Sequence, residues 1–163
     1  MVQNDKSLLL RLQERDVEFV IIGEVCMAMH GVNSVTLGIE VCCRLTTENL
    51  RRLEAALKGL HPFHRLAANN LPLELTNELC GRLKNLYLKT DIGILDCLGE
   101  IKGVGDYESA SKHSVTYKLS YGEFRMLDLD TLIAAKEAVG RERDLAAARQ
   151  LRAIKEKIGQ GRS

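Results

Sequence analysis

The stretch VIIGEVCMAMHGVNSVTLGIEV, residues 20–41, carries the most informative local pattern in this chain. A dense run of branched apolar residues ending at Ile22 predicts a buried strand that Gly23 terminates. Residues 24–30 predict a short helix that stops at Gly31, and residues 39–44 predict a second strand. A glycine turn between a strand and a helix offers free backbone N–H groups and the positive end of the helix dipole to phosphate. The stretch therefore predicts a phosphate-handling site.

The second strand decides what chemistry such a site can perform. Carboxylates at positions i and i+2 of a strand lie on one face, and a third from a neighbouring strand lets them hold Mg²⁺ against a nucleoside triphosphate. Here the two positions are Gly38 and Glu40, and Glu24 follows the turn glycine. The pattern leaves open whether the chain is an active enzyme or keeps the fold of an enzyme without its activity.

The rest of the chain predicts an α/β or α+β fold, a mixed β-sheet flanked by helices and followed by C-terminal helices. Helices are predicted over residues 4–15 and from a Thr46 or Thr47 cap to Gly59. Residues 86–98 predict one or two strands around Gly93, and residues 114–127 predict a hairpin. Asp128 is expected to cap a helix that Gly140 ends, before a last helix over 143–158. Residues 61–82 give no clear periodicity.

Composition sets limits on the protein class. The 163 residues suit a single domain over 1–163, and the net charge of +1 argues against a strongly electrostatic nucleic-acid or membrane binder. The N-terminus does not resemble a signal peptide, and no apolar run is long enough to span a membrane. The five cysteines are odd in number and form no CxxC pair, which favours reduced thiols and a cytoplasmic location.

Three long segments together resemble a known family. They are VEFVIIG through HPFHR (17–65), TDIGILDCLGEIKGVGDYE (90–108) and LDLDTLIAAKEAVGRERDL (127–145). Their order and spacing resemble the nucleotidyltransferase superfamily in its small bacterial minimal branch. The likeness covers a core of about residues 8–155, and residues 159–163 are expected to be a frayed tail. The resemblance implies the nucleotidyltransferase fold and transfer of a nucleoside monophosphate from a triphosphate, with Mg²⁺ as cofactor.

The resemblance also implies site residues. Glu40 and Asp96 match the second and third metal carboxylates and are the predicted catalytic and metal-binding residues. The predicted nucleotide-binding residues are Gly23, Glu24, Thr36, Lys136 and Arg141. Four positions depart from the family pattern. Glu24 replaces its second glycine and Ser34 replaces an arginine. Gly38 and Glu40 replace its first and second metal aspartates.

These departures predict that the site binds a metal ion more weakly. Gly38 has no ligand atom, and Glu40 is one methylene longer than aspartate, whereas Mg²⁺ demands near-octahedral geometry. Glu24 places negative charge where phosphate approaches. We therefore expect Mg²⁺ to bind weakly or not at all, and a nucleoside triphosphate to be a possible ligand of a catalytically silent pseudoenzyme.

Two alternatives stay open at this stage. Glu24, Glu40 and Asp96 could form a rearranged metal site in an active transferase. The chain could instead be an antitoxin-like module that binds a helical toxin-like partner or a second copy of itself, as small members of the superfamily often pair with such partners. Nucleic acid is an unlikely partner on charge grounds, and no membrane partner is expected.

Other polar residues have simpler interpretations. Lys136 and Arg141 could lie on a solvated helix face with Glu137, Glu142 and Asp144 as partners. Cys26 and His30 share a helix face and could ligate a metal, although a packed cysteine beside a histidine is the commoner arrangement. His61 and His64 are expected in a loop. Gly99, Gly103 and Gly105 are expected to be turn glycines with positive φ.

Overall fold

The computed structural model describes residues 3–161. Its strands are β1 (Phe19–Ile22), β2 (Ile39–Cys43), β3 (Phe63–His64), β4 (Asn85–Thr90), β5 (Gly93–Leu98), β6 (Glu100–Ile101), β7 (Gly105–Asp106), β8 (Ser114–Leu119) and β9 (Gly122–Leu127). Within this part of the chain, all but β6 and β7 form one sheet in the order β3-β4-β5-β2-β1-β9-β8. The β2–β5 and β1–β9 pairs are parallel, and the other pairs of the sheet are antiparallel.

Helices pack around this sheet. They are α1 (Asp5–Glu14), α2 (Gly23–Met29), α3 (Thr47–Ala56), α4 (Asn77–Cys80), α5 (Tyr107–Lys112), α6 (Leu129–Val139) and α7 (Glu142–Gln160). The predicted mixed sheet flanked by helices, with helices at the C-terminal end, is confirmed. None of the helices in residues 3–161 has both the length and the apolar character needed to cross a bilayer.

Helix boundaries follow from capping chemistry. The side chains of Asn4, Thr46 and Asp128 accept hydrogen bonds from backbone N–H groups of the first turns of α1, α3 and α6. Gly140 ends α6 with φ +72°, a left-handed conformation that glycine adopts without strain. These caps confirm three of the predicted helix starts, and each contributes about 1 kcal/mol to stability.

The core lies where the apolar stripes of the helices meet the sheet. Leu8, Leu9 and Leu12 of α1 are buried with Leu50 and Leu53 of α3. Burying a leucine side chain stabilises the fold by ~1.5–3 kcal/mol. The five cysteines are free and buried, which agrees with the prediction of reduced thiols.

One row of residues across the sheet positions the candidate site. Ile22 on β1 pairs with Glu40 on β2, Glu40 with Asp96 on β5, and Asp96 with Tyr87 on β4. Side chains paired in this way project from the same face of a sheet. The row continues beyond the end of β3, because the Arg65 backbone N–H donates to Tyr87 O at 2.9 Å.

The glycine-rich segment after β5 differs in part from its prediction. Gly103 and Gly105 have φ of +81° and +117° and lie in the β6–β7 hairpin, as expected for turn glycines. Gly99 does not have positive φ, so that prediction is wrong. A Cβ added at Gly99 would lie 2.3 Å from Leu45 Cδ1 and 2.7 Å from Lys84 O. Close packing rather than turn geometry therefore requires glycine there.

The two least readable regions of the sequence are ordered. Residues 61–82 contain β3, a 3-10 turn and α4, so His64 lies in a strand and not in a loop. Helix α7 continues to Gln160, so the predicted frayed tail is wrong for its first residues. Residues 162 and 163, also part of that expected tail, lie outside the described residues.

Candidate functional site

The two predicted catalytic carboxylates lie side by side. Glu40 and Asp96 are register partners on the parallel strands β2 and β5, so both face the same side of the sheet. Asp96 is 9 % exposed, and Glu40 is half-buried. The structure thus brings together the pair that the sequence predicted.

Asp96 already has a cationic partner. Arg65 donates from Nε to Asp96 Oδ1 at 2.9 Å and from Nη2 to Oδ2, a bidentate pair that engages both carboxylate oxygens. This hydrogen bonding raises the pKa of Arg65. The guanidinium also lies over the Tyr87 ring, 5.5 Å from its centroid. We call Glu40, Asp96 and Arg65 the sheet floor of the site.

Glu40 differs from its neighbour. Within residues 3–161 its carboxylate makes neither a hydrogen bond nor a close ion pair. Burial raises the pKa of Glu40, and the negative charges of Asp96 and Glu24 raise it further, whereas Lys136 and Arg141 act in the opposite direction. Because no group is paired with its carboxylate, Glu40 is the side chain of the sheet floor that is available to a ligand.

Gly23 directly follows β1 and begins α2, so the predicted order of strand, glycine and short helix is present. Gly23 has φ +68°, and a Cβ built on it would lie 3.2 Å from Glu40 Cβ. The left-handed backbone conformation favours glycine here, and a Cβ would also require Glu40 to shift by a few tenths of an ångström.

Two departures from the family pattern contact each other. Ser34 Oγ donates to Glu24 Oε2 at 2.6 Å, and Lys136 Nζ lies 3.6 Å from Glu24 Oε1. The Glu24 carboxylate is thus held by protein groups beside the turn. This arrangement explains how an acid is accommodated at the position where the sequence pattern predicted a phosphate.

The junction of α6 and α7 forms a second charged cluster. Asp144 is 3 % exposed, accepts from Arg141 Nε at 2.6 Å and lies 3.9 Å from Lys136 Nζ. The hydrogen bond from Arg141 lowers the pKa of Asp144. We call Lys136, Arg141 and Asp144 the helix wall.

The interpretation of Lys136 and Arg141 as a solvated face is correct only in part. Asp144 is a partner of both, as expected, but the Lys136 side chain is only 15 % exposed and points toward Glu24. Glu137 pairs instead with Arg152.

A cleft of about 640 Å³ separates the sheet floor from the helix wall. Its charged lining includes Glu24, Glu40, Arg65, Lys136 and Arg143, and its apolar lining comes from β1, α2, α6 and α7. Thr36, predicted to support the nucleotide, is half-buried in the loop before β2 and does not line this cleft.

Gly38 offers neither a ligand atom nor room for one. A Cβ added there would lie 2.7 Å from Ile94 Cβ and 3.0 Å from the Ile94 carbonyl oxygen. The β5 neighbour therefore fills the space in which the first metal aspartate of the family pattern would begin.

The residues present do not fit Mg²⁺. Arg65 engages Asp96, Ser34 and Lys136 engage Glu24, and Gly38 supplies nothing. In the described part of the chain, no group of three or more His, Cys, Asp or Glu side chains is placed to hold a metal ion. The rearranged site from Glu24, Glu40 and Asp96 is thus not formed in this arrangement.

The other candidate metal pair is occupied by a backbone carbonyl. His30 Nε2 donates to Leu127 O at 2.7 Å, and the Cys26 thiol donates to the same oxygen at 3.5 Å. Burial raises the pKa of Cys26 to about 12, so the metal-binding thiolate form is disfavoured. Cys26 and His30 therefore join α2 to the end of β9.

Sequence reasoning missed Arg65 and Arg143. Arg65 follows a two-residue strand in the segment without periodicity, and its partner Asp96 lies 31 positions later. Arg143, an exposed residue at the start of α7, lines the cleft. The one available signal for Arg65 was its place at the end of HPFHR, the last residues of the first resembling segment.

No protein-family model matches this chain, and no curated protein matches it. The nucleotidyltransferase resemblance therefore stays a prediction.

Proposed function

We propose that this chain is a nucleotidyltransferase-type protein whose cleft binds a nucleotide but does not catalyse metal-dependent transfer. One observation carries the proposal: both oxygens of Asp96, the carboxylate that keeps its place in the family pattern, are engaged by Arg65. A carboxylate paired in this way has fewer free lone pairs and less uncompensated negative charge to offer a metal ion, which disfavours metal binding there.

The shape of the cleft supports a nucleotide as the ligand. Its volume of about 640 Å³ lies within the usual range for small-molecule sites. The apolar part of its lining includes Met27, Leu132 and Ala147, which offer a planar base an apolar contact surface. Arg143 is exposed, lines the cleft and has no ion-pair partner among residues 3–161, so it is free to meet phosphate.

Thermal unfolding with ATP, GTP, CTP or UTP, each with and without Mg²⁺ or Mn²⁺, tests the proposal. We expect at least one nucleotide to raise the Tm by the same amount whether or not metal is present. A shift that requires metal would contradict the proposal and favour an active transferase. Arg143→Gln should weaken the shift, and Arg149→Gln, an exposed arginine on the same helix that does not line the cleft, is the matched control.

Partner binding is a second candidate function, because one loop beside the cleft is unusually apolar. Val35 and Leu37 are 86 % and 82 % exposed, and both lie within a few residues of Glu40. Large aliphatic side chains exposed together favour a protein contact, with a second copy of the chain or a helical protein as partner. A Tm that no nucleotide changes, with self-association that Val35→Ser/Leu37→Ser abolishes in sedimentation, would support this function over nucleotide binding.

A further inference from the structure

We propose that Arg65 is the resident cation of the sheet floor: its guanidinium occupies the position of a divalent metal ion and excludes one from Asp96. This inference deepens the proposed function and rests on it for the identity of the site. The exclusion of metal from Asp96 does not require that a nucleotide binds, so the two ideas can fail separately.

Three contacts hold Arg65 in place. Its backbone N–H donates to Tyr87 O at 2.9 Å, which fixes the residue at the end of β3. Its guanidinium lies over the Tyr87 ring, and its two N–H groups meet the two oxygens of Asp96. Stacking and bidentate pairing both need the planar guanidinium, so lysine would not reproduce the arrangement.

Register explains why the side chain reaches its target. Phe63 and His64 pair with Lys89 and Leu88, so Arg65 falls opposite Tyr87, which is itself opposite Asp96. Arg65 therefore has to cross one strand to reach β5, a span of ~10 Å between backbones that a long side chain bridges. Its side chain is only 29 % exposed and that of Asp96 only 13 %, so the pair is largely withdrawn from solvent.

The charges of the site agree with this role. Glu40 and Asp96 are adjacent in register, and like charges directly opposite each other are unfavourable. A cation between or beside them offsets that repulsion, and Arg65 supplies it from within the chain. An arginine stays protonated at every physiological pH and does not leave with a ligand, unlike a bound metal ion.

Manganese titration of Arg65→Gln tests the inference. Glutamine removes the positive charge but keeps much of the length and the ability to donate hydrogen bonds. Removing the competing cation should raise Mn²⁺ affinity at least about tenfold over the unaltered protein, measured by calorimetry with MnCl₂ alone. Asp96→Asn in the same chain should abolish the gain. Arg152→Gln, which frees a single carboxylate outside the cleft, should produce none.

Equal Mn²⁺ affinity in a folded Arg65→Gln variant and the unaltered protein would overturn the inference. A gain that survives Asp96→Asn would overturn it as well, because the metal would then be bound elsewhere.

A measurement on the unaltered protein keeps the test decisive if the variant does not fold. Mn²⁺ broadens NMR signals of nuclei close to it. We expect the Arg65 Nε–H and Cys97 amide signals to broaden no more than those of distant residues. Selective broadening of these two signals would place the metal at Asp96 and overturn the inference.

The nucleotide experiment separates this inference from the proposed function. A nucleotide shift that is independent of metal, together with a gain of Mn²⁺ binding in Arg65→Gln, supports both. A gain of Mn²⁺ binding without any nucleotide shift supports the role of Arg65 and contradicts nucleotide binding.

Discussion

The two sides of the cleft differ in how their carboxylates are paired with cations. The helix wall buries one carboxylate, Asp144, between two cations, whereas the sheet floor places two carboxylates beside one cation. Counting formal charges of the three named residues, the wall carries +1 and the floor −1. In the wall the one carboxylate is paired with two cations. In the floor the one cation is paired with Asp96, and Glu40 has no partner.

This difference separates structure from function within the cleft. In the helix wall the carboxylate of Asp144 is paired with cations, and its contact with Lys136 links α7 to α6. The sheet floor retains one half-buried carboxylate with a raised pKa and no hydrogen bond. Polar groups in such positions occur preferentially at binding sites. We therefore expect changes in the wall to alter stability most and changes in the floor to alter binding most.

Asp144→Asn should give the largest loss of stability. The change removes the negative charge between Lys136 and Arg141. Because the Arg141 side chain is 55 % exposed and solvent screens its charge, we expect a loss of about 2 kcal/mol, below the usual range for breaking a fully buried pair. Urea denaturation at pH 7 measures it. Asp130→Asn is the matched control, because Asp130 pairs with Lys155 at 2.7 Å on the surface, and its loss should cost less than about 1 kcal/mol.

The stabilisation that Asp144 contributes should also depend on pH. Because the pKa of Asp144 is lowered from its ordinary value of 3.8, its stabilisation is present above that value. It is lost as the pH falls through the lower pKa of the folded protein. The difference in the free energy of unfolding between the unaltered protein and Asp144→Asn should thus become smaller in strong acid. A difference that stays constant with pH would contradict the assigned charge of Asp144.

Gly38→Ala should have an intermediate effect on the floor. Its Cβ would lie 2.7 Å from Ile94 Cβ and 3.0 Å from a carbonyl oxygen that cannot rotate away, and overpacking of this kind costs ~1–3 kcal/mol. Gly159→Ala is the control, because nothing lies within 4 Å of an added Cβ there, and it should stabilise α7 slightly. A neutral Gly38→Ala would mean that the floor has room for the missing carboxylate.

Glu40→Gln should have the smallest effect, and in the opposite direction. Because the pKa of Glu40 is raised, the folded protein loses stability as the pH rises through that pKa and the side chain ionises. Glutamine removes the charge and should stabilise the fold by roughly 1 kcal/mol or less at pH 7. The gain should disappear as the pH falls below the ordinary value of 4.5. Destabilisation at pH 7 would reveal a partner for Glu40.

The sequence predicted the helix wall better than the sheet floor, for a physical reason. Arg141 and Asp144 are three residues apart on one helical turn, so their contact follows from local geometry. Arg65 meets Asp96 only after β3, β4 and β5 pair in a particular register. No periodicity in residues 61–82 indicated that register, because β3 has only two residues.

The same distinction applies to the fold. Caps at Thr46 and Asp128, the stop at Gly140 and the hairpin at residues 114–127 are local signals, and the structure confirms them. The packing that requires glycine at Gly38 and Gly99 depends on neighbouring strands and loops. The sequence indicated that Gly38 lacks the ligand atom of the family pattern. It did not indicate that Ile94 occupies the space a side chain would need there.

A crystal structure grown with Mn²⁺ and a non-hydrolysable nucleoside triphosphate tests the central claim most directly. The anomalous scattering of manganese locates the metal directly. We expect the Arg65–Asp96 pair to remain intact, with nucleotide density in the cleft and no anomalous peak between Glu40 and Asp96. A manganese peak bonded to both carboxylates, with Arg65 displaced, would contradict the account.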